Sequence, residues 1–340
     1  MPGRYKRIMM EFISKETYLL PVKTIGSVPV NVSLVYPNTY SIGMSNLGFH
    51  SIYSQINSRD DALCHRAFLP SENSNISNIN INTVEADKPI NEYDIVGFSI
   101  SFEMDYINII KILESARISV FSEKRQMPLV MAGGPAATFN PEPLSPFVDF
   151  FVIGEGEEVI HEIIDKYREF QNSSKQEILE AFAQINGVYV PSFYNITYDK
   201  EGKVQDIKAE SFTQSQITKC WVKDINKYNT ESVILTPYTE FKDMFLMEIS
   251  RGCGRNCRFC MAGYCYRIPR YKSLDKVLER AEFGLKYKGK IGLVGAAVSD
   301  YPFIDELAEK LVENGIKFSV SSLRADTLRE PLMKGLAFSG

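Results

Sequence analysis

The sequence predicts an α/β fold built on parallel sheets, laid out in two successive runs. Three observations carry this. Strand-length apolar stretches without polar alternation recur between segments of helical spacing, the pattern of strands buried on both faces. Several of these stretches end in glycine-rich turns that open a helix, as parallel βα units do. An alternating, hairpin-like segment beginning at Val188 then separates the first run from the second.

Residues 1–27 form an N-terminal extension with scattered charges and no sustained apolar run, so they do not read as a secretory signal. In the first domain, 28–187, a buried strand is expected over 31–38. A helix over 45–56 follows, with Leu47, Ile52 and Ile56 on its apolar face. The Ser/Asn-rich residues 71–83 read as a loop plus a short strand. A strand over 93–101 leads to a helix over 102–118, where Ile107, Ile110, Leu113 and Ala116 recur at helical spacing. Strands over 127–134 and 149–156 end in Gly133-Gly134 and Gly154-Glu-Gly156, and a helix over 157–170 opens at the latter turn. Residues 188–242 read as a hairpin around a Lys-Glu-Gly turn and a connector. The last stretch, 243–340, contains strands over 245–250, 290–298 and 317–326. They alternate with helices over 274–287, 304–314 and 330–338, the second closed by Gly315. No internal repeat is found.

The bulk numbers fit this layout. The 340 residues allow about two domains at ~100–200 each. Hydrophobic residues at 44% and charged residues at 24% describe an ordinary globular chain. A net charge of −4 argues against a dominant nucleic-acid surface. No segment reaches the ~18 apolar residues of a membrane span, so a cytoplasmic protein without membrane contact is expected.

Chemistry concentrates in one segment. Cys253, Cys257 and Cys260 stand in a C-x3-C-x2-C spacing with Phe259 before the last, just after the strand over 245–250. In a reducing compartment such a cluster is a metal site before it is a disulfide framework. Thiolates ligate cubane clusters, and three from one loop leave the fourth iron open. A structural zinc site needs four ligands; all three histidines lie far upstream, and only Cys265 could supply the fourth. Six cations (Arg251, Arg255, Arg258, Arg267, Arg270 and Lys272) surround the cysteines, with no acid between 251 and 272. They would favour thiolates and an anionic ligand, or form a solvated basic loop.

Cys253-x3-Cys257-x-Phe259-Cys260 after a strand resembles the signature of the radical SAM superfamily. That resemblance implies a [4Fe–4S] cluster held by Cys253, Cys257 and Cys260, with S-adenosylmethionine chelated to the open iron. It further implies reductive cleavage to a 5′-deoxyadenosyl radical, with the electron drawn from a donor such as flavodoxin or ferredoxin. The substrate is not implied. Gly295, Ala296, Ser299 and Asp300 occupy the place of the superfamily's cofactor-binding segment after the second strand, without the frequent Gly-Gly-Glu pattern. Ser321, Ser322 and Arg324, at the end of the third strand, are expected to face the same cavity. Arg324 is a cofactor-positioning candidate or an ordinary salt bridge.

The segment from Val35 to Gly48 is similar to one branch of that superfamily, with an N-terminal cobalamin-binding-type domain of Rossmann-like form. Gly133, Gly134, Gly154 and Gly156 are the candidate cofactor-binding residues there, since open α/β sheets bind ligands at strand carboxyl ends. Cobalamin is a candidate third cofactor. The Asp-x-His-x-x-Gly pattern is missing, so no histidine is placed to ligate cobalt from below. The alternative is a domain that only packs.

Three β/α units fit into 243–340, whereas a full β/α barrel needs ~200 residues or more. The barrel is therefore expected to be incomplete, in a truncated chain or one half of a split enzyme whose C-terminal barrel half is separately encoded. The competing readings are a catalytically incompetent cobalamin- or metal-binding remnant and a tRNA methylthiotransferase. The latter needs a second cysteine triad where this first domain has only Cys64.

Overall fold

The structure is a computed structural model that describes residues 2–70 and 80–340, with side chains from residue 6 onward. Most of the loop expected over 71–83 lies outside the described residues. The chain divides into two compact units. Met1–Ser14, Leu20–Gly43 and Ile52–Trp221 form the first; Lys15–Leu19, Met44–Ser51 and Val222–Gly340 form the second.

The extension is not featureless. It carries helix α1 (Pro2–Ser14) and the short strand β1 (Thr17–Tyr18). The first unit is built on β2 (Val30–Tyr36), β3 (Ala62–Phe68), β4 (Ile95–Ser99), β5 (Leu129–Gly133), β6 (Phe150–Val152) and β7 (Val188–Tyr189), in the order β3-β2-β4-β5-β6-β7. The first five run parallel and β7 runs antiparallel to β6. Every residue of β3 is buried, so its polar side chains are paired. The His65 ring meets the Tyr93 hydroxyl at 2.7 Å, and Arg66 donates to Glu85 at 2.7 Å.

Helices α2 (Tyr40–Gly43), α3 (Leu47–Asn57), α4 (Tyr106–Ser115), α5 (Pro135–Phe139), α6 (Gly156–Phe170) and α7 (Lys175–Phe182) accompany these strands. Helix α4 is shorter than its apolar spacing suggested. A 3-10 turn over Glu103–Asp105 precedes it, and Arg117 at φ +57° lies just beyond its end. Helix α7 has a capping box, with Ser174 accepting from the Glu177 amide and the Glu177 side chain reaching back to Ser174.

The hairpin is present as β8 (Tyr194–Tyr198) and β9 (Val204–Ala209). Tyr198, Val204 and Ile207 are each more than half exposed on it. The expected boundary at residue 187 is not where the first unit ends. Strand β7 completes its sheet, and the Cys220 segment adds to β6: the Cys220 amide donates to the Ile153 carbonyl at 2.8 Å and the Glu155 amide to the Cys220 carbonyl at 3.0 Å.

In the second unit, β10 (Ile234–Leu235) pairs antiparallel with β1. Strand β11 (Met244–Glu248) is followed by β12 (Ser250–Arg251), α8 (Ala262–Cys265), β13 (Arg270–Tyr271) and α9 (Leu274–Leu285). Then come β14 (Lys290–Val294), α10 (Ile304–Glu313), β15 (Lys317–Val320) and α11 (Glu330–Ser339). Strands β11, β14 and β15 form a parallel three-stranded sheet in that order. Phe245, Ile291 and Phe318 from the sheet share one core with Leu307, Leu311 and Leu332 from α10 and α11. Among the described residues no helix is long and apolar enough to cross a membrane.

Candidate metal centre

The cysteine loop leaves the carboxyl end of β11, where parallel βα units carry their chemistry. The Ile249 amide donates to the Val294 carbonyl at 2.9 Å, so the chain follows the sheet for one more residue. Ser250 and Arg251 then pair antiparallel with Tyr271 and Arg270. Residues 252–269 are thereby a loop tied at its base. Gly252 opens it at φ +87°, and a Cβ there would stand 1.9 Å from the Tyr266 carbonyl oxygen. Only glycine meets both conditions.

Cys253, Cys257 and Cys260 sit on this loop as free, partly exposed thiols, in chain with no helix or strand from Gly252 to Cys260. The Cys260 amide donates to the Cys257 carbonyl at 3.0 Å. Phe259 is 93% exposed. Cys265 is apart from them in character, buried in α8.

The six cations of this segment are not one patch. Arg251, Arg270 and Lys272 are buried and form the loop's foundation. Arg251 donates twice to the Glu248 carboxylate, both at 2.8 Å, and to the Thr230 hydroxyl at 3.2 Å. Arg270 donates to the Ile268 carbonyl at 3.1 Å and also to the Val222 carbonyl. Lys272 donates to the Tyr228 carbonyl at 2.6 Å; burial lowers its pKa, with Glu248 and Glu231 acting against that shift. Arg255, Arg258 and Arg267 are exposed on the loop.

The rim beside the loop is made by the ends of β14 and β15. Gly295 lies against Ser250, and a Cβ there would come 2.3 Å from the Ser250 hydroxyl oxygen. The Ser321 and Ser322 hydroxyls donate to the Gly295 carbonyl at 3.1 and 2.8 Å, joining the two strand ends. Ala296 is exposed. Ser299 is buried and accepts from the Arg324 amide at 2.9 Å and the Thr327 hydroxyl at 2.8 Å. Asp300 faces two arginines: Arg255 Nε at 3.4 Å and Arg324 Nε at 3.5 Å. Burial raises the Tyr271 hydroxyl pKa, with Asp300 and Cys253 adding to the shift. The structure thus brings Gly295, Ser299, Asp300 and Arg324 together with the cysteine loop, and it adds Arg255 and Tyr271, which the sequence did not single out for a rim.

In the first unit the expected glycines have packing duties. Gly134, at φ +101°, would place a Cβ 2.5 Å from the Ile100 carbonyl oxygen, and Gly154, at φ +107°, one 2.1 Å from that of Cys220. Gly156 abuts Ile52, and Gly133 makes only ordinary contact with Val152. The strand order points elsewhere. Counted within this unit it begins 2-1-3-4-5, whose switch point lies between β2 and β4. There Asn38 donates to Asp105 at 2.8 Å and Asn108 to the Pro37 carbonyl at 3.0 Å. Burial raises the Asp105 carboxyl pKa, opposed by Asn38 and Asn108. Among the described residues no histidine serves that place: His50 meets the Met44 carbonyl at 3.0 Å, His65 is inside β3, and His161 on α6 meets Gln55 at 3.3 Å.

Two family models match the chain. Residues 247–333 match the radical SAM superfamily, and residues 48–191 match the N-terminal domain of radical SAM proteins. The chain belongs to the radical SAM superfamily. This radical SAM protein is 30% identical over 311 residues to the uncharacterized protein MJ0966 of Methanocaldococcus jannaschii, covering 89% of this chain and 57% of that one. It thus spans less than two thirds of its curated relative. Its fold is similar to that of the cobalamin-dependent S-adenosylmethionine radical enzyme OxsB. With aqua-cobalamin and S-adenosylmethionine bound, OxsB aligns at TM-score 0.55 and 16% identity, over 92% of this chain and 42% of that one. With aqua-cobalamin alone the TM-score is 0.52 over the same shares.

Among the described residues no three His, Cys, Asp or Glu side chains converge into a metal cage; the three thiols are displayed along the loop. The donor set still fits an iron–sulfur cubane. All three sulfurs are uncommitted, the segment that carries them has no regular structure to hold them apart, and no carboxylate competes from within the loop. The Ser250 hydroxyl oxygen and one Asp300 oxygen are buried beside it without hydrogen-bond partners.

Proposed function

We propose that this radical SAM protein binds a [4Fe–4S] cluster through Cys253, Cys257 and Cys260 and cleaves S-adenosylmethionine reductively. The observation that carries the reading is the loop itself: three free thiols on irregular chain, tied at its base, at the carboxyl end of the first strand of a parallel sheet. When bound, the cluster supplies one electron to the cofactor's sulfonium, whose C–S bond breaks. The chain's own residues bind and orient. Cys253, Cys257 and Cys260 would hold the cluster through three thiolates, a donor set that would leave an iron available to the cofactor's amine and carboxylate. Gly295, Ala296 and Ser299 form the rim on which the cofactor's polar end would lie, and Arg324 supplies a cation beside it. The buried Glu248–Arg251 pair and Lys272 fix the loop's base from below. The electron comes from an external donor of flavodoxin or ferredoxin type.

Cobalamin in the first unit is a further proposal. It is supported by the parallel sheet with a switch point between β2 and β4 and by the exposed apolar Phe102 and Met104 just after β4. The cofactor would be held without a protein ligand to cobalt.

Anaerobic reconstitution tests the main reading. The expected result is about four irons per chain, lost in Cys253→Ser, Cys257→Ser and Cys260→Ser and kept in Cys265→Ser, with 5′-deoxyadenosine formed on reduction. A colourless preparation holding only zinc would reject it. Iron uptake without cleavage would identify a metal-binding remnant, or one part of an enzyme completed by a separate chain.

A further inference from the structure

The Asp300 carboxylate lies between two guanidinium groups from different segments. Arg255 stands between the first two loop cysteines, and Arg324 follows β15. One carboxylate oxygen faces Arg255 at 3.4 Å; the other faces Arg324 at 3.5 Å. Arg324 is held independently, by Asp326 at 2.5 Å and through its amide on Ser299. Asp300 is fixed in the 3-10 turn Val298–Asp300, whose first amide meets Ser322 at 3.4 Å. Arg255 is about half exposed and pairs with Asp300. The geometry is asymmetric: two members belong to the sheet rim, and the third belongs to the loop.

We propose that Asp300 is a positioning residue, anchoring the metal loop to the sheet rim by joining Arg255 to Arg324 before any cluster is loaded. Its reach of 3.4–3.5 Å to both arginines is longer than a tight hydrogen bond. Asp300 Oδ1 and Arg324 Nε are both buried without a hydrogen-bond partner. The triad therefore attracts by charge and leaves the loop room to close. A half-exposed pair of this kind is worth little in global stability but enough to bias a local equilibrium. The proposal builds on the assignment of the loop to a cluster, yet its main readout needs no metal.

The test is amide hydrogen exchange over residues 252–265 in the metal-free full chain. Asp300→Asn and Arg255→Gln should each speed exchange about two- to fivefold. The double variant should exchange no faster than the faster single, because both break the same Asp300–Arg255 contact, and Asp300→Glu should restore protection. After reconstitution, Asp300→Asn and Arg255→Gln should lose iron to a chelator faster than wild type, and Asp300→Glu should not. Unchanged exchange in both singles, or fully additive effects, would overturn the anchor. So would an Asp300→Asn protein with wild-type exchange and iron retention but a raised KM for S-adenosylmethionine, the mark of a residue that meets only the cofactor. Should wild type take up no iron, the metal reading fails, and the exchange result still decides the anchor.

Discussion

Cys220 and the loop cysteines show how one residue type is put to different uses. Burial pushes the Cys220 thiol up to about 11, with Glu162, Glu158 and Glu155 adding to the shift. Its sulfur donates to the Asn186 carbonyl at 2.9 Å. Cys64, wholly enclosed in β3, is also raised by burial. Reaction with an alkylating agent runs through the thiolate. At pH 8, Cys220 should therefore react about a hundredfold more slowly than an accessible thiol of ordinary pKa near ~8.5. Peptide mass spectrometry of metal-free protein treated briefly with iodoacetamide should find Cys253, Cys257 and Cys260 modified first and Cys64, Cys220 and Cys265 last. Early modification of Cys220 would contradict its raised pKa. The residue scale also held the main surprise of the site. Six cations that look like one basic run in sequence separate into three buried supports and three exposed arginines. Spacing could not reveal this, because it depends on Glu248, Thr230, Tyr228 and Val222, which reach the loop from elsewhere in the unit.

At the scale of elements, the loop's base is the sensitive point. Gly252 joins the β12–β13 pair to the cysteine segment in a backbone conformation that other residues rarely take, with the Tyr266 carbonyl against it. Gly252→Ala should cost about 1–3 kcal/mol locally and lower iron uptake several-fold. Iron analysis beside a urea melt checks this: the loss of iron should exceed any loss of global stability. Strands β2, β4, β5, β6, β11, β14 and β15 were legible because each is a short apolar run in a parallel sheet, whereas β3 (Ala62–Phe68) was missed, its pattern broken by the buried His65 and Arg66 that Tyr93 and Glu85 pair from elsewhere in the chain. Helix α4 and the hairpin boundary were less legible. The first is trimmed by a 3-10 turn and the second depends on β7 and Cys220 completing the sheet. Helix α7 had a readable capping box at Ser174-x-x-Glu177 that the apolar periodicity alone did not bring out. The glycines at 134 and 154 were visible as special positions, but what fills the space beside them, Ile100 and Cys220, comes from distant chain.

For the whole molecule, the charge distribution bears on electron supply. The chain carries a net charge of −4, yet the cysteine loop exposes Arg255, Arg258 and Arg267 and contains no acid between 251 and 272. A donor with an acidic face would be drawn to this side. Its rate of reducing the reconstituted protein should fall about tenfold as salt rises from ~0.05 to ~0.5 M, as followed by stopped-flow absorbance. A flat salt profile would mean that the donor approaches elsewhere. The three loop cysteines proposed as cluster ligands stand out in the sequence at once, since their spacing is local. Asp300 and Arg324 were found by counting strand ends, and Arg255 joined them only when the fold brought residues 45 and 69 positions away to its side. The β8–β9 hairpin carries a practical corollary. Its turn at Lys200–Gly202 is wet on every side, so an affinity peptide or fluorophore spliced between Lys200 and Glu201 would give a handle for anaerobic isolation that leaves the thiol loop untouched.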